Sequence, residues 1–298
     1  MQFLAKFTLV AAIASGAAKF PADESLCGLD SQVASIGEGH HSLIHRHTVR
    51  ELSHFSRLSS KFDVGLASHR QGRDAHVRKF SRTNYSQDDL HQALQGLQQH
   101  LDALGYPIVE GYVRDDNPYL AKEAFIYDQW ANTLNLSTIC ETGFNAGHSA
   151  LRFLAQSQAT VYEFDLCEHP YTQPAAAYLS SKYPGRLHLT CGDSAATLPA
   201  FRSSYPAIKC DLIIVDGGHS FEAAESDLFH LAKMASENAV VSMDDTPCSA
   251  SWCDGPNRAW ADFAAKGCIV NESKNPMAEL LGFTFARVSP CTYLQEAA

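Results

Sequence analysis

The stretch Ile139-Cys-Glu-Thr-Gly-Phe-Asn-Ala-Gly-His-Ser149 joins a short apolar run to an acid and two glycines. Two later stretches share this plan, Asp211-Leu-Ile-Ile-Val-Asp-Gly-Gly-His219 and Val240-Val-Ser-Met-Asp-Asp-Thr246. Each is a β-type run that stops at a carboxylate or a glycine turn. In an open α/β sheet, ligands bind at the carboxyl ends of the strands. The three stretches therefore predict one site for a polar, partly cationic ligand, and they favour an enzyme.

Outward from these stretches, β-type runs alternate with helical patterns. Strands are predicted at 137–141, 160–165, 187–191, 211–216, 239–244, about 267–271 and 282–288. Helices are predicted at 88–104, 121–134, 148–157, 173–183, 194–202, 221–236 and 257–266. This alternation predicts an α/β fold with a Rossmann-like, doubly wound, mostly parallel sheet of seven strands. The short connection 272–281 predicts an antiparallel edge hairpin, and 86–135 a helical N-terminal extension or lid before a domain at 136–290.

Charge is distributed unevenly along the chain. The net charge is −10, but residues 40–82 hold nine Lys/Arg against three Asp/Glu, which leaves −16 for the remainder. Nucleic-acid binding relies on basic surface that displaces counterions. The acidic balance therefore argues against a nucleic-acid partner, and no segment is long and apolar enough to cross a membrane as a helix. The sequence gives no indication of the oligomeric state.

The N-terminus resembles a targeting segment. Lys6 precedes an apolar run at 7–14, and the small residues at 16–18 suit cleavage, so residues 1–18 are interpreted as a signal peptide. An amphipathic N-terminal helix is the alternative. Residues 19–85 are predicted to be a weakly ordered, basic Ser/His-rich segment. This segment also fits a transit peptide, so we expect either a secretory route or import into an organelle.

The first three predicted strand ends suit a nucleoside-like ligand. Glu141-x-Gly143-x-x-x-Gly147 is wider than the G-x-G-x-x-G fingerprint of dinucleotide folds, and its leading acid suits positive charge. An acid such as Asp165, after the second strand, commonly accepts hydrogen bonds from ribose hydroxyls. Asp193 and Ser194, after the third strand, are placed to face an adenine.

Taken in order, these motifs resemble those of class I S-adenosylmethionine (SAM)-dependent methyltransferases over residues of about 120–290. The segment 211–227 is similar to the group called the type 24 methyltransferase domain. The resemblance implies that SAM is the cofactor. It also implies that Glu141, Gly143 and Gly147 border the cofactor's methionine part, that Asp165 holds the ribose, and that Asp193 and Ser194 lie by the adenine. Asp216 is a further cofactor-binding candidate.

The resemblance also raises the question of whether the site binds a metal ion. Catechol-type O-methyltransferases hold Mg²⁺ with acids after their fourth and fifth strands, and the matching positions are Asp216, Asp244 and Asp245. Oxygen ligands suit hard cations. Asp245 stands where that branch has Asn, so Ca²⁺, Mn²⁺ or no metal are alternatives. The acids could also merely cap their loops.

His219 stands where that branch has a lysine base. A histidine titrates near neutrality, so His219 is a candidate general base, with Asp216 as a second catalytic candidate. Alternatively, His219 simply begins the following helix. We expect methyl transfer from SAM to an oxygen of a small molecule or sugar. The competing interpretations are a nucleotide-binding Rossmann oxidoreductase and a non-catalytic binding protein of the same fold.

Nine cysteines are many for a cytosolic enzyme and agree with a secretory route. Cys140, Cys167, Cys191 and Cys210 lie in or beside strands and are predicted to be buried small hydrophobes. Cys248 and Cys253 are predicted to pair with each other, or one of them with Cys268. Sequons for N-glycosylation occur at Asn84, Asn135 and Asn271.

Overall fold

The computed structural model describes residues 87–106, 113, 120–278 and 281–296. All of them lie in the unit Phe80–Ala298. The predicted signal peptide and the predicted Ser/His-rich segment lie outside the described residues. None of the helices described is long and apolar enough to span a membrane.

Seven strands form one sheet in the order β3-β2-β1-β4-β5-β7-β6. Neighbouring strands are parallel from β3 through to β5, and β7 runs against both β5 and β6. The predicted Rossmann-like sheet and its antiparallel edge are therefore confirmed. The strands are β1 (Thr138–Thr142), β2 (Thr160–Asp165), β3 (Leu187–Cys191), β4 (Cys210–Val215), β5 (Ala235–Asp244), β6 (Ile269–Ala278) and β7 (Leu281–Val288).

Helices cover both faces of the sheet. They are α1 (Gln87–Ala103), α2 (Ala121–Thr133), α3 (His148–Gln156), α4 (Thr172–Lys182), α5 (Ser194–Ser204), α6 (Phe221–Ala232), α7 (Asp254–Ala265) and α8 (Thr292–Glu296), with a 3₁₀ turn at Ser251–Cys253. On one face, Leu198, Leu228 and Trp260 of α5, α6 and α7 pack with Ile213 and Val241 of the sheet. Burying such side chains supplies the main driving force for folding.

The N-terminal helices pack onto the opposite helix layer. Leu90, Leu97 and Leu101 form the buried stripe of α1, which contacts α3 and α4. Between α2 and α3, the buried Arg152 donates hydrogen bonds of 3.0 Å to both carboxylate oxygens of Asp128. A buried charge is tolerated when it is paired and hydrogen-bonded in this way. The extension is therefore an integral helical layer of the domain.

Two predicted boundaries were wrong. The sixth helix was predicted to reach 236, but α6 ends at Ala232 and Ala235 already pairs with Cys210 in the sheet. The hairpin connection was predicted at 272–281, but β6 continues to Ala278 because its second half, from Ser273 to Ala278, pairs with β7. In both places sheet pairing overrides the local sequence preference.

The prediction that Cys140, Cys167, Cys191 and Cys210 are buried is confirmed for Cys140 and Cys210, whereas Cys167 is half-buried and Cys191 is exposed. Cys140 forms a disulfide with Cys210, and Cys167 with Cys191, because β4 lies beside β1 and the end of β3 lies beside β2. The pairing of Cys248 with Cys253 is confirmed. Cys268, the alternative partner, instead pairs with Cys291.

Candidate functional site

Gly143 lets the loops after β1 and β4 touch. Its φ is +96°, and a Cβ atom there would lie 1.8 Å from the carbonyl oxygen of Asp216. The same loops are joined by the backbone N–H of Asp216, which donates to the carbonyl of Thr142 at 3.0 Å. Only glycine allows this approach. The predicted site acid Asp216 is thus positioned by the glycine motif itself.

Gly147 begins α3 in a left-handed conformation, with φ +77°. A Cβ atom there would lie 2.6 Å from the ring of Phe144 and 2.8 Å from Leu179. This glycine therefore serves the turn and the packing of Phe144. Its contacts are with the protein core.

Glu141 lies under α3, fully buried. It accepts a 2.7 Å hydrogen bond from the hydroxyl of Ser149, and Glu163 stands beside it in register on β2. Burial raises the pKa of Glu141 to about 7. Burial and the neighbouring Glu141 raise the pKa of Glu163 well above its usual value. Glu141 thus fixes the start of α3 from below.

Asp165 ends β2 as a partly buried acceptor. Its carboxylate accepts the backbone N–H groups of Asn145 at 2.9 Å and Cys167 at 2.6 Å. These bonds tie together the loops after β1 and β2. An ionised carboxylate offers about four lone-pair sites, so it retains capacity for two ribose hydroxyls.

The loop after β3 is anchored by two acids. Asp193 caps α5, accepting the N–H of Ala195 at 2.9 Å. The hydroxyl of Ser194 interacts with Asp227, a buried acid on α6 that also lies near Thr142. Burial raises the pKa of Asp227 to about 6. The predicted adenine-side pair is thereby connected to the ends of β1 and β3.

A cluster of acids meets at the ends of β4 and β5. Burial, together with the nearby Asp244 and Glu123, raises the pKa of Asp216 well above its usual range. Burial and Asp245 raise the pKa of Asp244 to about 7. Side-chain hydrogen bonding links Asp216 and Asp244. Such a concentration of buried acids favours a cationic ligand, because a cation offsets their mutual repulsion.

Glu123 and Tyr127 of α2 also belong to this cluster and were missed in the sequence. Both are buried, and the Tyr127 hydroxyl hydrogen-bonds Glu123. Burial and Asp244 raise the pKa of Glu123 well above its usual value. Their spacing of four residues places them on one helix face. That spacing is the sequence feature that could have indicated a shared polar face, but it does not show that α2 reaches the strand ends.

His219 and Asp245 form an ion pair at the rim. His219 Nε2 lies 2.9 Å from Asp245 Oδ2, with the side chains 52% and 11% exposed. The hydrogen bond that His219 donates to Asp245 raises the pKa of His219. Asp245 has φ +55°, and the Thr246–Pro247 peptide bond that follows it is cis. The imidazole is therefore held by an acid and remains open to solvent.

The candidate metal site at Asp216, Asp244 and Asp245 receives no support from this geometry. Among the described residues, one group of three possible ligands lies within 4.8 Å, Asp245 with Cys248 and Cys253, and the two sulfurs form a disulfide. Asp216, Asp244 and Asp245 are not such a group, and Asp245 Oδ2 instead lies 2.9 Å from His219 Nε2. The residues as placed do not fit a three-carboxylate metal centre.

A small cavity opens between β4 and β5, with a volume of about 200 Å³ that includes space open to solvent. His219 and the acids Asp216, Asp244 and Asp245 line it, with apolar walls from Val215, Ala224, Met243 and Pro256. The predicted catalytic residues therefore share one cleft. Glu141, Asp165 and Asp193 do not line this cavity.

The comparisons with known proteins agree with this fold. Residues 140–246 match a family model described as a methyltransferase domain. The O-methyltransferase TomG from Streptomyces achromogenes, solved with SAM, is 17% identical, with a TM-score of 0.52 over 67% of this chain and 90% of its own. An O-methyltransferase from Bacillus cereus, solved with SAH, is 15% identical, with a TM-score of 0.51 over 66% and 91%. No curated protein matches at a significant level.

The matched segment runs from β1 to the end of β5 and contains every strand end that lines the cleft. Residues 140–246 thus match a methyltransferase domain, and the fold is similar to that of solved O-methyltransferases.

Proposed function

We propose that the protein transfers a methyl group from SAM to a hydroxyl of a small molecule or sugar. The observation that carries this proposal is the 2.9 Å pair of His219 and Asp245, held beside a cleft of buried acids. The structurally similar proteins from Streptomyces achromogenes and Bacillus cereus are O-methyltransferases solved with SAM and SAH.

The proposed cofactor contacts come from three strand ends. Asp165 keeps acceptor capacity for ribose hydroxyls. Asp193 and Ser194, at the start of α5, border the adenine. An ammonium or sulfonium group bound beside Asp216, Asp244 and Glu123 lowers their raised pKa values and so favours their charged forms. When bound, the cofactor supplies a methyl group on a positively charged sulfur.

The proposed base is His219. Its neutral imidazole takes the proton of the acceptor hydroxyl as the oxygen attacks the methyl carbon. Asp245 holds the ring by one nitrogen and stabilises the imidazolium that forms. Proton removal by a positioned base typically contributes 10²- to 10⁴-fold, and alignment of the reactants contributes much of the rest. Asp216 assists through charge and positioning in the same cleft.

We propose a secretory location for the enzyme. The described residues contain four disulfides. Disulfides persist in oxidising compartments and are rare in the cytosol. The predicted signal peptide supports the same route, whereas import into an organelle remains the alternative.

The proposed reaction is tested in two steps. Calorimetry with SAM, SAH and NAD should give binding of the first two and none of NAD. A coupled assay for SAH release is then run with hydroxyl and amine acceptors, including catechols and methyl glycosides, with and without EDTA. NAD binding without SAH binding contradicts the proposal, as does turnover confined to amines. Turnover that EDTA abolishes and Mg²⁺ restores contradicts the conclusion that Asp216, Asp244 and Asp245 do not form a metal centre.

A further inference from the structure

The edge strand β6 carries a sequon, Asn271-Glu-Ser273, on a bulge. The pairing with β7 shifts register between Val270 and Ser273, so that Asn271 and Glu272 have no partner residue in the ladder. Asn271 is exposed and has φ +58°. Bulges at sheet edges bend the strand and re-aim a side chain. Here the bulge presents the Asn271 amide to solvent.

The middle residue of this sequon holds the bulge in place. Glu272 accepts a hydrogen bond from the indole N–H of the buried Trp260, and it forms a 3.4 Å ion pair with Lys274. The Glu272 side chain is therefore tied to α7. This anchor keeps the exposed Asn271 in an accessible position.

A second sequon in the described residues, Asn135-Leu-Ser137, lies between α2 and β1. Asn135 and Ser137 are exposed, while Leu136 between them is buried. The backbone N–H of Ser137 donates to Asp211 at 2.8 Å, which fixes the loop from its other side. In both sequons, therefore, the asparagine is exposed while a neighbouring residue of the sequon is held by a hydrogen bond.

We propose that Asn135 and Asn271 are N-glycosylated. The side-chain amide nitrogen attacks the anomeric carbon of an oligosaccharide carried on a lipid diphosphate. A C–N bond forms, the C–O bond to the diphosphate breaks, the nitrogen loses one proton, and the lipid diphosphate leaves. The host's membrane-bound transferase catalyses this step in the same oxidising route that the four disulfides indicate. The modification is independent of methyl transfer.

A glycan on Asn271 also protects the sheet. An uncovered edge strand presents unpaired backbone groups that can pair with another chain. β6 is the terminal strand, beyond β7, of the sheet that the described residues form. A bulky, hydrated group at its bulge blocks pairing between edges of two copies.

The test uses the full-length chain, produced in cultured eukaryotic cells that secrete glycoproteins. Asn84→Gln removes the sequon outside the described residues, so that two sites remain. Treatment with peptide N-glycanase should lower the apparent mass in two steps, and peptide mass spectrometry should find aspartate at 135 and 271 afterwards. Ser137→Ala and Ser273→Ala should each remove one glycan.

The matched control is Asn238→Gln. Asn238 is also exposed with positive φ, but it lies in no sequon, and its replacement should leave both glycans. A chain that is recovered with its disulfides formed and both asparagines unmodified overturns the proposal. A chain retained unmodified in the cytosol overturns it as well. Modification at only one position overturns the assignment of the other. SAH binding, measured on the same samples, reports the proposed function separately.

Discussion

At the scale of single residues, the site depends on acids in different environments. Asp165 is partly exposed and bonded to two backbone N–H groups, whereas Asp216 and Asp244 lie in an acid cluster that raises their pKa values. Asp245 is paired with a histidine. These environments suit a hydrogen-bond acceptor, a cation site and an orienting partner respectively. The assignments can be separated by substitution.

The first prediction concerns the base. Asp245→Asn removes the charge that raises the pKa of His219, so the acidic limb of the pH–rate profile should move to lower pH. The maximal rate should fall because the imidazolium loses its partner. His219→Gln should lower turnover by about 10²- to 10⁴-fold. Both variants should bind SAH normally by calorimetry. An unchanged rate profile in both variants would place the base elsewhere.

The second prediction concerns the ribose acceptor. Asp165→Ala should weaken SAH binding by on the order of 1–3 kcal/mol, because hydrogen bonds to a charged group are lost. Asp211→Asn is the matched control. Asp211 lies at the start of β4, where it bonds the N–H groups of Ser137 and Thr138. Its replacement should reduce thermal stability and leave SAH affinity unchanged. Equal SAH affinity in both variants contradicts the assignment.

At the scale of elements, the fold was largely predictable and the packing of the loops was not. The predicted β2 (160–165) and β3 (187–191) match the structure residue for residue, since each has a β-type run bounded by polar turns. Glu123 was not predicted as a site residue because the sequence does not show which helices reach the strand ends. The partner of Gly143 was missed for the same reason, because the glycine approaches the protein's own Asp216 carbonyl.

The third prediction follows from that approach. Gly143→Ala places a methyl group against the Asp216 carbonyl and requires φ +96°, so both loops must move. We expect lower thermal stability together with weaker SAH binding. Gly185→Ala is the matched control, because Gly185 has φ +73° but no atom lies within 4 Å of the point where its Cβ would stand. The Gly185→Ala variant should lose about 1 kcal/mol of stability through backbone strain alone, and its SAH affinity should be unchanged. Normal SAH binding by folded Gly143→Ala contradicts the shared-loop site.

At the scale of the whole molecule, buried acids set the pH dependence of stability. Glu141, Asp227 and Asp244 have pKa values raised to about 7, 6 and 7 by burial. Unfolded carboxyls titrate near pH 4, so the folded state holds more protons between about pH 4 and 7. The stability that these three carboxyls contribute is therefore fully present below about pH 4 and is lost as the pH rises toward 7.

The fourth prediction isolates one of these acids. Asp227→Asn removes a group whose ionisation destabilises the fold by up to about 3 kcal/mol, from the difference of roughly two pKa units. The decline in unfolding free energy between about pH 4 and 7 should become shallower in the variant. Urea unfolding at several pH values checks this. A slope identical to that of the parent contradicts the raised pKa of Asp227. Asp211→Asn serves again as the control.

The disulfides show which pairings could be predicted from the sequence and which depended on the fold. Cys140 and Cys210 are 70 residues apart, and their contact depends on the insertion of β4 beside β1. Cys248 and Cys253 are 5 residues apart, so their pairing was predictable from proximity alone. In the loop-entropy model, the longer loop stabilises the folded state by about 4 kcal/mol.

The Cys140–Cys210 bond also makes a covalent ring of the chain from β1 to β4. The crossovers through β2 and β3 lie inside this ring, and Cys167–Cys191 closes a smaller ring within it. A protease that cuts the backbone once between 141 and 209 therefore releases no fragment. The nicked enzyme should migrate as one species on a denaturing gel until a reductant is added, and its two pieces stay tethered for religation or refolding.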